Sequence, residues 1–214
     1  MKHPSSISVF FARAFRAVRR AKWSIITIAI TYAISILVGI VMVKSGNAFA
    51  RARRDQIVNQ ANQTGSVRKA ANRGNDLQAA WLDFAGNLFI GAVPKTVSGF
   101  GVIFPYPLVA YQGWVGGIVS SGGDHTNRFD DPRSAIYYLV TLVLQLIPYS
   151  LAAGAGVNVG VALFRPALYY QGPKWLGFFP VEVLRDIGRI YVFVVPLFLL
   201  ASLWEFLGPW NFWR

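Results

Sequence analysis

The chain has 214 residues, 54% of them hydrophobic and only 14% charged, with a mean hydropathy of +0.42. A soluble domain carries about a quarter charged residues, and the apolar residues here gather in runs near the ~20 that a bilayer-spanning helix needs, so the class is all-α, polytopic membrane protein. Cysteine is absent, which excludes disulfides, thiolate metal sites and cysteine nucleophiles, and the net charge of +12 sits beside apolar runs, where anionic lipids rather than nucleic acid are the expected partner.

In chain order, residues 1–22 form the first unit, with SSISVFFARAFRAVRRAK over 5–22. Ser5 or Ser6 caps a helix here. Phe10, Phe11, Phe15 and Val18 share an apolar stripe, and Arg13, Arg16, Arg19, Arg20 and Lys22 form a basic side. That pattern predicts an amphipathic helix lying in the membrane interface, with Arg13, Arg16, Arg19 and Arg20 toward lipid headgroups. Residues 23–43, WSIITIAITYAISILVGIVMV, are the clearest transmembrane helix. Ala48-Phe49-Ala50 looks like a signal-peptidase site, but the apolar run is longer than a secretory core, so a retained span is expected.

Residues 44–77 are polar and basic, and predict one or two helices along the membrane surface, the expected contact with a partner outside the bilayer. Residues 78–210 form the rest of the bundle. A second apolar segment covers 78–93, with a tight turn expected at Pro94-Lys95-Thr96. A third covers 97–120, kinked by Pro105 and Pro107. A polar loop, SGGDHTNRFDDPR, follows at 121–133. Residues 135–164 hold QLIPYSLAAGAGVNVGVALF, with Pro148 as an expected helix break. The mixed segment 167–189 predicts a second interfacial helix, and 190–207 the last span. The closing PWNFWR places tryptophans at the headgroup layer. The count is five spans if 135–164 is one kinked helix and six if Pro148 divides it. With the N-terminus inside and five spans, eleven basic residues fall inside and ten outside. The charge bias is therefore slight, and the first basic cluster sets the N-terminus in the cytoplasm.

Small residues are the main packing signal. Ala152, Gly156 and Gly160 are spaced by four, as are Gly113 and Gly117, so each set lines one helix face. In lipid such faces let backbones approach closely, and the two are expected to meet. GAGVNVG has GxGxxxG spacing and no strand before it, which excludes a dinucleotide loop. The intramembrane polar residues are Asn87, Asn158 and Glu205, with Asp83, Lys95 and Gln145 nearby. Asn158 is expected to hydrogen-bond across helices. Asp83 and Lys95 are expected near solvent, Glu205 near a span end. Ionisable groups in a span default to a functional hypothesis, yet no carboxylate pair, nucleophile–base set or phosphate loop is present. No catalytic, cofactor-binding or metal residue is assigned.

The order FAGNLFIGA, then YQGWVGG, then an Ile-Pro step with AAGAGVNVG, and finally PLFLLASLWEFL resembles the stage II sporulation protein M family of bacterial integral membrane proteins. The resemblance covers 80–210. By position, Asn87, Gly113, Gly117, Pro148, Gly154, Gly160 and Glu205 fall on the family's recurrent positions. The chain departs at Pro148-Tyr149-Ser150 and Ala153, where the family commonly has Pro-His-Gly followed by Glu. Packing is the role that survives this difference. The resemblance implies a non-enzymatic component of the bacterial cytoplasmic membrane, whose namesake recruits peptidoglycan-degrading partners.

The expected function is a membrane scaffold or accessory subunit of a larger complex. Its expected partners are other membrane subunits, anionic lipids, a cell-wall hydrolase or a second copy of itself. The alternative is a permease-type subunit of an ABC exporter working with a separate ATPase, since the chain has no Walker motif. Six spans with both termini on one side would favour the permease.

Overall fold

The computed structural model describes residues 6–120, 131–164, 170 and 172–207. Ser5, His3, the 121–130 part of the polar loop with His125, Arg165 and the PWNFWR tryptophans lie outside them. The described chain is almost entirely helical. Helix α1 is Ser6–Arg20, and α2, Lys22–Lys44, follows it directly. Helices α3 (Ala48–Thr64) and α4 (Ser66–Asn72) fill the basic segment, as expected. Asn47 and Asn75 cap the helices that follow them, each accepting a backbone N–H three residues on.

Helix α5 (Asp76–Ala85) widens into a π-helical stretch over Gly86–Ala92 and runs on as α6 (Val93–Ser98). No turn forms at Pro94. Pro94 sits where the π-helical stretch passes into α6, and the backbone stays helical through it. The reversal comes later, through a 3-10 turn at Gly99–Gly101 and Val102 at φ 60°. A β-branched residue with positive φ is strained, and the Val102 N–H bond to the Gly99 carbonyl, 2.8 Å, helps hold it. Helix α7 is Pro105–Val119, so Pro105 and Pro107 begin this helix rather than kink it.

Helix α8 runs unbroken from Pro132 to Phe164. Pro148 is therefore not a helix break. It deletes one backbone bond, but Pro148 to Gly160 is buried without interruption, and the packing there holds the helix across the missing bond. A short hairpin pairs β1 (Lys174–Trp175) with β2 (Phe179–Pro180) antiparallel. Helix α9 is Val181–Leu207, one continuous element. Over the described residues 172–189, the expected second interfacial helix is instead a hairpin followed by the first turns of α9, because the apolar stripe of the last span already begins at Val183; 167–169 and 171 lie outside the described residues.

Among the described residues, three helices are long and apolar enough to cross a membrane: α2, α8 and α9, of 23, 33 and 27 residues. Their outer surfaces stay apolar. Ile26, Ile30, Ile34, Leu37 and Val41 on α2 are all exposed, an arrangement suited to lipid and not to water.

The core forms where these helices meet α5, α6 and α7. Ile28, Tyr32, Tyr149, Val194 and Phe198 are buried at its centre. Tyr149 meets Phe198 edge-on at 4.7 Å and stacks with Tyr32 at 6.3 Å.

The contacts also give directions. Helix α7 runs parallel to α2, because Thr27 bonds Tyr106 while Gly39 meets Gly117. The α5–α6 path is parallel to α8, because Asn87 bonds Tyr149 while Gly99 meets Gly156. Helix α9 is antiparallel to both, with Ser202 on Asp83 and Tyr191 on Thr96.

Candidate functional site

Glycine makes the helix contacts close. A Cβ on Gly113 would lie 2.6 Å from the Tyr32 carbonyl oxygen, one on Gly117 would overlap that of Ile36, and one on Gly39 would lie 2.5 Å from that of Trp114. The Gly113/Gly117 face therefore packs on α2, not on α8 as expected from the two small-residue patterns. The face of α8 meets α6 and the turn beyond it. A Cβ on Gly156 would overlap the Thr96 carbonyl oxygen, and one on Gly160 would lie 2.6 Å from that of Phe100. The fully buried Ala152 completes this face, its carbonyl oxygen 2.9 Å from Thr96 Oγ1. The neighbouring side of α8 reaches α2, where a Cβ on Gly154 would lie 2.7 Å from Ile25 Cα. Spacing by four identified each face correctly but not its partner. Gly39 was missed although a signal was present: the small Ser35 lies four residues before it, and Ser35 and Gly39 meet Gly113 and Gly117 of α7 in turn.

A polar network lies within the bundle. Asn87, on the π-helical stretch, donates to Asp83 at 2.8 Å and accepts from the Tyr149 hydroxyl at 2.7 Å. Ser202 donates to the same Asp83 oxygen at 2.7 Å. Lys95 donates to the Gly91 carbonyl at 3.1 Å, with its ammonium 4.7 Å from the Tyr149 ring. Asp83 and Lys95 are thus part of the interhelical glue, not freely solvated groups at a turn. Gln145 reaches Glu205 at a long 3.5 Å, so Glu205 sits beside the network between α8 and α9.

A second cluster ties α1 to the bundle. Arg20 donates from Nε to Asp186 Oδ2 at 2.7 Å and from Nη2 to Oδ1 at 2.5 Å. Asp186 is 1% exposed. It also accepts from the Tyr170 hydroxyl at 3.1 Å and from Arg189 at 2.8 Å. Asn158 donates to Tyr170 at 2.8 Å, so its cross-helix link to α9 runs through Tyr170. Hydrogen bonding to Asp186 raises the Arg20 guanidinium above its ordinary range. Burial, with Asp186 beside it, pushes the Tyr170 hydroxyl up to about 12. Arg20 is therefore a clamp on α9 and not a free headgroup ligand. Arg13, Arg16 and Arg19 remain exposed on the basic face.

Sequence reasoning placed Asp186 on a mixed interfacial segment and missed its burial. The signal was present: Val183, Asp186, Ile190, Val194, Phe198 and Ala201 follow one another at three or four residues, one buried stripe with an acid in it. Tyr149 and Tyr170 carried no such signal.

Comparison of the chain with protein-family models, curated proteins and solved structures finds no match.

Proposed function

We propose that this chain is a non-enzymatic scaffold or accessory subunit of a larger assembly in the bacterial cytoplasmic membrane, crossing the bilayer five times. The observation that carries this reading is the backbone-to-backbone packing of α2 on α7, α6 on α8 and α2 on α8. Interfaces this close leave each helix a single arrangement, and a bundle fixed in this way presents its two ends at a constant separation. The helix directions support five crossings. Helix α2 goes across, the α5–α6 path returns, α7 goes across, α8 returns and α9 goes across. Helix α1 then lies at one face, in the cytoplasm by the first basic cluster, and α3 and α4 lie at the other.

The polar residues fit glue better than chemistry. Asn87, Asp83, Tyr149 and Ser202 spend their hydrogen bonds on one another. The likeness of FAGNLFIGA, YQGWVGG and AAGAGVNVG to the stage II sporulation protein M family points the same way. Through it a cell-wall hydrolase joins other membrane subunits as a candidate partner, alongside a second copy of the chain. The continuity of α8 through Pro148 counts against the permease reading, which needs an even number of spans.

Purification of the tagged chain from its native membranes in mild detergent tests the proposal. Membrane subunits or a cell-wall hydrolase in constant proportion support the scaffold. An equimolar ATPase overturns it in favour of the exporter.

A further inference from the structure

The basic face of α1 is not a uniform charged surface. It opens into two adjoining clefts. The first, about 360 Å³, is lined by Arg16, Arg19, Arg20, Lys22 and Trp23. The second, about 260 Å³, is lined by Arg13, Arg16, Arg20, Glu182 and Arg189. Arg16 and Arg20 belong to both. Six cations thus surround the pair of clefts, against Glu182 and the buried Asp186, which leaves an excess of four positive charges.

Those charges are not equally available. Arg20 and Arg189 are held by Asp186 and Glu182. Arg13, Arg16 and Arg19 have no acidic partner among the described residues, so the clamp leaves them standing over its own rim. Arg16, between the two clefts, is the free guanidinium both share. Guanidinium forks match phosphate oxygens in pairs.

Beside this charge is a surface for lipid chains. The bundle-facing side of α1 is alanine, with Ala14 and Ala17 fully buried, as is Ala21 at the joint to α2. Ile7, Phe11 and Phe15 stay exposed on the adjacent side, and Phe15 leans on Phe193 of α9 at 5.0 Å between ring centres. Trp23 is exposed at the rim, with the Lys22 ammonium 5.1 Å from its ring. Aromatic rings of this kind sit at headgroup depth.

We propose that the paired clefts are a binding site for a membrane lipid carrying two phosphates, one in each cleft, bridged at Arg16 and with its chains along Phe11, Phe15 and Trp23. The inference rests on α1 lying in the interface and deepens the anionic-lipid contact of the proposed function. A soluble phosphate compound would satisfy the arginines but make no use of the aromatic side, so the occupant is a lipid.

The test uses the full chain purified in mild detergent, titrated with cardiolipin or with phosphatidylglycerol at equal phosphate, and read by native mass spectrometry. Cardiolipin is expected to be retained about tenfold more tightly, which is roughly 1.4 kcal/mol. Arg16→Gln should weaken retention roughly fivefold, the effect of one basic residue at an anionic headgroup, while Arg68→Gln on α4 leaves it unchanged. Equal retention of the two lipids overturns the proposal, as does an Arg16→Gln variant that binds like the parent. Displacement of the lipid by millimolar pyrophosphate also overturns it and assigns the clefts to a soluble anion. Recovery of protein partners with Arg16→Gln separates this site from the scaffold: a variant that loses lipid but keeps partners leaves the scaffold reading standing.

Discussion

Arg20 at the end of α1 grips Asp186 on α9 with two hydrogen bonds, 166 residues apart in sequence. This pair fixes an interfacial helix to the bundle through a carboxylate that is almost wholly buried. It also decides which arginines of α1 remain free to meet headgroups.

Arg20→Gln should therefore loosen α1. Breaking a buried ion pair costs about 3–5 kcal/mol. The expected loss here is nearer ~2 kcal/mol, because Arg189 still reaches Asp186 at 2.8 Å. Thermal unfolding in detergent measures it. The double variant Arg20→Gln with Asp186→Asn should unfold above the single one, since the buried carboxylate left with Arg189 alone is neutralised while Arg189 keeps Glu182. A double variant no better than the single would mean that the pair contributes contact area and not charge compensation.

The glycine contacts predict a contrast between positions. Gly117→Ala drives a methyl group into the Ile36 carbonyl, and Gly156→Ala into that of Thr96. Overpacking of this kind costs about 1–3 kcal/mol, and Gly156→Leu or Gly160→Leu should prevent the helices from seating. Gly86→Ala meets nothing within 4 Å and should be tolerated. Size-exclusion profiles and unfolding midpoints of the set decide it. Equal behaviour at Gly117 and Gly86 would remove the close-packing account.

Asn87 and Tyr149 should be coupled. Removing the amide with Asn87→Ala leaves the Tyr149 hydroxyl and Asp83 each short of a partner. Intramembrane hydrogen bonds average about 0.6 kcal/mol and reach about 1.7 in double-mutant cycles. A cycle of Asn87→Ala with Tyr149→Phe should show a coupling in that range. Additive effects would mean that the 2.7 Å contact adds nothing to stability. Glu205→Gln should leave assembly intact; loss of function with normal assembly would point to a chemical role for this carboxyl.

Pro148→Ala should preserve the fold and leave the unfolding midpoint unchanged or raised. Alanine restores the backbone donor that proline lacks, and proline inside a helix costs about 3 kcal/mol. A variant that misassembles would show instead that the proline shape itself is required at this buried position.

Much of the architecture was legible in the residues, and the misses share a cause. The 23–43 run and the stripe of 190–207 needed no tertiary information, because length and hydropathy alone select a span. The basic and aromatic sides of α1 followed from helical spacing. Pro94, Pro105 and Pro148 were each misplaced by one rule applied without context. Proline marks a reversal in water, but it opens a helix when it falls in the first turn, as Pro105 does, and it is carried within a helix where a π-helical stretch precedes it, as at Pro94. Within a buried helix, packing overrides it, as at Pro148. The partners of the glycine faces were invisible because spacing describes one helix, and pairing depends on direction and on neighbours such as Gly39. The Arg20–Asp186 clamp required a charge to be read inside an apolar stripe.

The claim on which the scaffold reading stands is that α1 and the α3–α4 segment face opposite sides of the membrane. The chain has no cysteine, so single cysteines report without interference. Ala12→Cys on α1 and Gln63→Cys on α3 are both exposed. In sealed inner-membrane vesicles of inverted orientation, a membrane-impermeant maleimide should label Ala12→Cys at once and Gln63→Cys only after detergent is added. Immediate labelling of both positions would put them on one face, remove the five-crossing bundle, and with it the platform spanning the bilayer.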